Sequence, residues 1–211
     1  MTSHEIHCAT AKKNAASRLH GQGGIGYNGC AMDTKVYIDP KDYLHDIWHL
    51  GRQIYDSPWR PDILIALWRG GAIPGVAVHE FLKVKGLSLP HKPVKCSSYT
   101  GIETSETTVT FDEHAAQVFA SLIPGTKVLV VDDVFDTGRT AAAIHARMAD
   151  IGCDMRFACV YSKPEKNVTS FTPDFFVKKL DQWIVYPHEI EGLTPEEVEI
   201  KDPFLAKLLN S

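Results

Sequence analysis

Val128-Leu129-Val130-Val131-Asp132-Asp133-Val134-Phe135-Asp136-Thr137-Gly138-Arg139-Thr140 runs from a continuous apolar strand through two carboxylates into a helix start. Two adjacent acids at the end of a buried strand are costly unless a metal ion or hydroxyl donors meet them. The turn that follows has a different appetite. Unpaired backbone N–H groups and the dipole of a helix N-terminus favour an anion, two threonine hydroxyls donate, and Gly138 allows close backbone approach. Each charge-assisted hydrogen bond to a phosphate is worth roughly 1.5–3 kcal/mol. A diol or metal site therefore stands beside a monophosphate site. An ordinary capped helix would account for Asp136 and leave Asp132 and Asp133 unexplained.

Outward from this stretch, strands alternate with helices. Asp39-Pro40 predicts a helix start, and Leu44, Ile47, Gly51 and Ile54 share one face at helical spacing. Ile63-Leu64-Ile65-Ala66-Leu67 reads as a strand covered on both sides, followed by a helix through Val76 to Leu82. Further strands are expected at Val94 to Ser98, Arg156 to Tyr161 and Phe175 to Leu180, with a helix from Thr140 to Ile151. Residues 100–112 read as a long loop or flap whose acidic side chains (Glu103, Glu106, Asp112 and, just beyond, Glu113) serve solvation. Residues 181–193 read as an irregular segment, and Thr194-Pro195 opens a helical tail over 194–211. The order predicts an α/β fold with a mostly parallel central sheet flanked by helices, its ligands at the carboxyl ends of the strands. The expected organisation is an N-terminal extension over 1–31, disordered or non-native, one domain over 32–193 with a small hood at 181–193, and the tail.

The 211 residues, 44% hydrophobic, suffice for one domain with its own core. The net charge of −4 argues against broad binding to nucleic acid or anionic membranes. Five scattered cysteines without a C-x-x-C pair point to free thiols in a reducing compartment, and no run approaches the ~18 apolar residues of a membrane span. A cytoplasmic protein is expected. Gly21-Gln22-Gly23-Gly24-Ile25-Gly26 fits a dinucleotide fingerprint in letters only, without the flanking strand and helix. Asn167-Val168-Thr169 fits a glycosylation pattern that is idle in the cytoplasm. His45 and His49 stand four apart on a helix, with no third ligand to make a zinc site.

An apolar strand, Asp-Asp, two residues and Asp-Thr-Gly-x-Thr is similar to the phosphoribosyl-pyrophosphate motif of type I phosphoribosyltransferases. Four other segments match in order across about residues 36–192. Leu67-Trp68-Arg69-Gly70-Gly71 resembles the pyrophosphate loop, Ser97-Ser98-Tyr99 the start of the flexible catalytic loop, and Ser162-Lys163-Pro164 the base-reading lysine of the 6-oxopurine enzymes. Asp181 to Glu189 resembles their hood, in the xanthine-guanine and hypoxanthine-guanine branch.

The resemblance implies transfer of a 5-phosphoribosyl group from phosphoribosyl pyrophosphate to a 6-oxopurine (hypoxanthine, guanine or xanthine) in purine salvage. It implies a cis peptide before Arg69 and assembly into homodimers or homotetramers. The donor would be held by Asp132, Asp133, Asp136, Thr137, Gly138, Arg139 and Thr140, with Arg69, Gly70 and Gly71 on the pyrophosphate. The base would meet Lys163, Trp183, Ile184 and Glu189. Mg²⁺ would be held by Asp132, Asp133 and Glu189, directly or through water. Asp136, Arg69, Ser98 and Tyr99 are the expected catalytic residues, Asp136 exchanging a proton at N7 and the flap residues excluding water. Three positions depart from the pattern: Arg139 replaces a small residue, His188 a second hood tryptophan, and Glu189 a hood aspartate, so the preferred base stays open. Two alternatives compete, a donor-sensing regulator that binds nucleic acid and a transferase for uracil or adenine. The acid at 136 and the acidic net charge oppose the first; Asp136, Lys163 and Trp183 together oppose the second.

Overall fold

Strand β5 (Lys127–Phe135) lies in the middle of the sheet, and its side chains alternate between two cores. Leu129 and Val131 pack with Tyr43, Ile47, Leu50 and Val78 on one face. Val128 and Val130 pack with Phe119, Ile144 and Met148 on the other. An apolar run without polar alternation is what a strand covered on both faces requires. The computed structural model describes residues 35–100 and 107–211, with side chains described at 35–96 and 109–211. The glycine-rich stretch at 21–26 lies outside the described residues.

The elements follow the expected α/β order. β1 (Lys35–Tyr37) leads into α1 (Pro40–Asp56), then β2 (Ile63–Trp68), α2 (Ala72–Val84) and β3 (His91–Thr100). After β4 (Thr107–Phe111) come α3 (Glu113–Ala120), β5, α4 (Arg139–Ile151), β6 (Asp154–Ser162), β7 (Phe175–Lys179) and β8 (Trp183–Val185), then α5 (Pro195–Lys201) and α6 (Pro203–Leu209). The main sheet has six strands in the order β4-β3-β2-β5-β6-β7, parallel except for the β3–β4 pair. Buried residues of α1 and α2 belong to the first core and those of α3 and α4 to the second, so helices cover both faces.

The helix starts are chemically marked. Asp39 accepts hydrogen bonds from the amides of Lys41 at 2.8 Å and Asp42 at 3.2 Å, with Pro40 at the first helical position. Thr194 and Glu197 form a reciprocal capping box on α5. Asp46, buried inside α1, is satisfied by Tyr161 Oη at 2.9 Å and Lys178 Nζ at 2.7 Å, which ties the helix to β6 and β7.

Three expectations are corrected. Residues 100–112 are not all loop: β4 pairs antiparallel with β3, from Cys96 opposite Phe111 to Thr100 opposite Thr107. Threonine and valine suit a pleated strand, and the pairing partner lies within the same hairpin. Asp112 is the N-cap of α3, accepting from the Ala115 amide at 2.8 Å, and Glu113 sits in the first turn, where the helix dipole favours an acid. Within 181–193, Trp183–Val185 forms β8, paired in parallel with β1 in a separate two-stranded sheet. A three-residue strand is too short to show a period, and its partner lies about 150 residues away, so no local pattern marks it. Among the described residues, no helix is long and apolar enough to cross a membrane, and Cys96, Cys153 and Cys159 are free thiols.

Candidate functional site

Strand alternation decides where the two acids go. Asp133 continues the Leu129–Val131 side and lines a cavity of about 700 Å³. Asp132 continues the Val128–Val130 side and lines a smaller cavity of about 200 Å³. One strand end thus offers a carboxylate to each of two adjoining spaces. Beyond Asp133 the phase breaks, with Val134 packed on the first core and Phe135 on the second.

The acids are hydrogen-bonded yet remain uncomfortable. Asp132 accepts from the Asp133 amide at 3.0 Å. Burial, reinforced by the charge of Asp133, holds the Asp132 carboxyl well above the usual carboxylate range. Burial also pushes Asp133 up to about 6, with the charge of Glu189 adding to it. Both acids favour a proton or a cation in their neighbourhood.

The small cavity is the turn after β5. Thr137, Gly138 and Thr140 line it with Asp132, Asp136 and Phe157. Gly138 is the N-cap of α4 with φ of +79°, a left-handed conformation suited to glycine. Asp136 therefore does not cap the helix. A Cβ on Gly138 would stand 2.5 Å from Asn167 Oδ1 and 2.6 Å from Thr169 Oγ1. Those two residues, read from sequence as an idle glycosylation pattern, buttress the turn. The Val168 amide donates to Thr137 O at 3.1 Å, and Thr169 Oγ1 to Asn167 Oδ1 at 2.9 Å. Arg139 begins α4 and lines neither cavity.

The large cavity collects residues from four chain segments. Arg69 and Gly70 come from the β2–α2 turn, Asp133, Val134 and Asp136 from the end of β5, Lys163 and Lys166 from the stretch after β6, and Trp183, Ile184, Tyr186 and His188 to Glu191 from β8 and the loop after it. The Trp68–Arg69 peptide is cis. The turn is crowded: a Cβ at Gly70 would lie 2.4 Å from Asp133 Oδ1, and one at Gly71 2.2 Å from Val131 O.

Lysine after a strand is usually solvated, but Lys163 is only 6% exposed. Its Nζ lies 3.5 Å from Asp136 Oδ2, while Asp136 Oδ1 is buried without a protein partner. Trp183, half exposed, and Ile184, buried, line the same space. His188 lines the wall, and burial keeps its imidazole below its ordinary pKa, assisted by Lys201 and Arg69. Glu189 Oε2 accepts from the Tyr186 amide at 3.3 Å. Ser98 and Tyr99 sit on β3 opposite Val109 and Thr108; their side chains lie outside the described residues. Sequence reasoning missed Lys166, Tyr186 and Glu191, which have no motif of their own and are brought in by the fold.

This geometry has counterparts. The yeast Xanthine phosphoribosyltransferase 1 (Saccharomyces cerevisiae) is 37% identical over 122 residues, covering 52% of this chain. This chain spans 58% of that relative's length. A purine phosphoribosyltransferase from Pyrococcus horikoshii superposes with a TM-score of 0.62 at 29% identity, over 77% of this chain and 99% of the other. A hypoxanthine phosphoribosyltransferase from Staphylococcus aureus, 20% identical over 66% of this chain and 73% of its own, has a TM-score of 0.54 and shares the fold. The profile of the phosphoribosyl transferase domain matches residues 39–191, from the cap of α1 to the far wall of the cavity. The chain belongs to the phosphoribosyl transferase domain family.

Proposed function

We propose that this chain transfers the 5-phosphoribosyl group of phosphoribosyl pyrophosphate to a 6-oxopurine, releasing pyrophosphate and a purine nucleoside 5-monophosphate. The observation that carries the reading is the buried Lys163 ammonium beside Asp136, in a cavity walled by Trp183 and opening onto Asp133. An ammonium donates and cannot accept, so it selects the exocyclic carbonyl oxygen of an oxopurine over the exocyclic amino group of adenine. Trp183 gives the base a flat apolar face.

The sugar phosphate sits with its 5-phosphate in the small cavity on Thr137, Gly138 and Thr140. Its hydroxyls face Asp132 and Asp133, and its pyrophosphate lies toward Arg69 and Gly70. The purine attacks C1, and the C1–O bond breaks with its electron pair leaving on pyrophosphate. Asp136 accepts the proton from ring nitrogen N7. Positive charge grows on the sugar and negative charge on the leaving group, so a fixed guanidinium at Arg69 lowers the barrier. Arg139 adds a cation at the start of α4, near the 5-phosphate. Ser98 and Tyr99 close over the reacting centre and exclude water.

Among the described residues no three acidic, histidine or cysteine side chains stand close enough to hold a metal by themselves. Asp133 and Glu189, which line the large cavity, and Asp132 beside them would therefore meet Mg²⁺ through water, and a cation there would relieve the two carboxyls raised by burial. When bound, Mg²⁺ neutralises the pyrophosphate and orders the ribose hydroxyls. The partners are small molecules.

A panel of hypoxanthine, guanine, xanthine, adenine and uracil, each with phosphoribosyl pyrophosphate and Mg²⁺, tests the reading by pyrophosphate release. Turnover confined to the oxopurines is expected; turnover of adenine or uracil alone would overturn the substrate class.

A further inference from the structure

Two elements at the edges of the matched family region converge on one wall of the large cavity. β1 precedes residue 39, and α5 follows residue 191. β1 pairs with β8 so that Lys35 lies opposite Trp183 and Tyr37 opposite Val185. The Ile38 amide extends the ladder, donating to Val185 O at 3.1 Å. α5 then grips this wall at two points. Near its start Glu197 Oε1 meets Lys35 Nζ at 2.6 Å. At its end Lys201 Nζ donates to Tyr186 O at 2.7 Å and also to Glu189 O.

The segment so held is the turn from Tyr186 to Glu189. Its internal bonds are the Glu189 amide to Tyr186 O at 3.1 Å and the Tyr186 amide to Glu189 Oε2 at 3.3 Å. Between those two residues stands His188, which faces the cavity with Glu189. One ammonium on both carbonyls fixes the height of the turn over the cavity, because charge-assisted hydrogen bonds are the strong ones. A solvated lysine would make no such demand.

We infer that Lys201 is a positioning residue for the base-binding wall: the helix α5 clamps the Tyr186–Glu189 turn and thereby sets the fit of the purine. The inference rests on the phosphoribosyl-transfer reading. It predicts a split between the two substrates when donor binding is measured without Mg²⁺, for which Glu189 is a proposed ligand: the 5-phosphate turn and the acidic pair are built from β5 and α4, which the clamp does not touch.

The test uses the full chain with Lys201→Met and Lys201→Arg. For Lys201→Met the KM of the oxopurine should rise about tenfold, the equivalent of one lost charge-assisted bond, while kcat moves within about threefold. Donor affinity by calorimetry without Mg²⁺ should stay within about twofold, and Lys201→Arg should restore most of the base KM. An unchanged base KM overturns the proposal. So does a joint loss of base KM, donor affinity and melting temperature, which marks general loosening. Should Lys201→Met fail to fold, Glu197→Gln, which releases α5 from Lys35, should raise the base KM about threefold; no rise overturns the clamp. If the parent chain binds the donor yet turns over no base, the transfer reading fails on its own. Amide hydrogen exchange at Tyr186 and Glu189 then decides, faster exchange in Lys201→Met supporting the clamp and equal exchange ending it.

Discussion

Arg69 Nη2 lies 3.2 Å from Glu191 Oε2, so a cation from the β2–α2 turn and an anion from the loop after β8 meet at the rim of the large cavity. Both side chains are mostly exposed, and a surface pair of this kind adds roughly 0–1 kcal/mol to stability. Its weight lies in competition, because Arg69 is the cation proposed for the pyrophosphate. Glu191→Gln should leave the melting temperature nearly unchanged and tighten pyrophosphate binding about two- to fivefold at low salt, an advantage that fades as salt screens the pair. Calorimetry with pyrophosphate at two ionic strengths checks it, and equal affinities at low salt would dismiss the competition.

Gly70 is pressed against Asp133. A methyl group there would sit 2.4 Å from Oδ1, far inside contact distance, so the carboxylate or the loop must move. Gly70→Ala is expected to weaken donor binding at least about tenfold, the scale of one charge-assisted hydrogen bond. Binding isotherms with phosphoribosyl pyrophosphate read this directly.

The acidic pair gives a pH dependence of opposite sign for binding and for stability. Both carboxyls titrate above their unfolded values, Asp133 near 6. The free folded chain therefore holds more protons than the unfolded chain between about pH 4 and 6, and stability from this pair declines as pH rises through that window. Donor binding needs the ionised acids and should strengthen over the same interval. Asp133→Asn is expected to raise the melting temperature of the free protein above pH 6, by an amount equivalent to roughly 1–3 kcal/mol, and to abolish magnesium-dependent donor binding. Thermal melts and titrations at pH 5 and 7.5 test both signs.

Asp136 carries a different prediction, because its role is proton transfer. Asp136→Asn should cut turnover about 10²-fold or more, the usual scale of a lost general base, while donor affinity stays near that of the parent. Equal losses in both would make Asp136 a binding group instead.

Asn167 supports the phosphate turn from outside. Its Oδ1 accepts from the Thr169 amide and hydroxyl, each at 2.9 Å, and its Nδ2 donates to Phe171 O at 2.9 Å. Asn167→Ala should destabilise the fold by about 1–2 kcal/mol and raise the donor KM more than the base KM. Steady-state kinetics with both substrates varied would expose the asymmetry.

Much of this was legible because two signals coincide at β5: an apolar run long enough to be buried on both faces, and acids placed where that run ends. The Asp39-Pro40 and Thr194-Pro195 helix starts are local chemistry and show in the letters. β8 does not, because three residues carry no period and its partner is β1. β4 was hidden in a polar stretch whose threonines serve a hairpin as readily as a loop, and α3 just after it is only eight residues long, too short for its apolar face to show a clear period. Lys163 was legible as a candidate, but only the fold shows that it is buried against Asp136. Lys201 and Glu191 have no motif, and only the path of the chain after β8 brings them to the cavity.

The strand that carries Asp132 and Asp133 also works as a partition. Each acid serves one compartment because adjacent side chains on a pleat point to opposite sides. Adding or removing a single residue in the Lys127–Val131 run would leave both carboxylates at the strand tip and exchange their compartments, while turning the apolar residues behind them toward the wrong cores. The spacing of this strand is thus held to the exact residue by two demands at once, one from the packing and one from the two halves of the proposed donor.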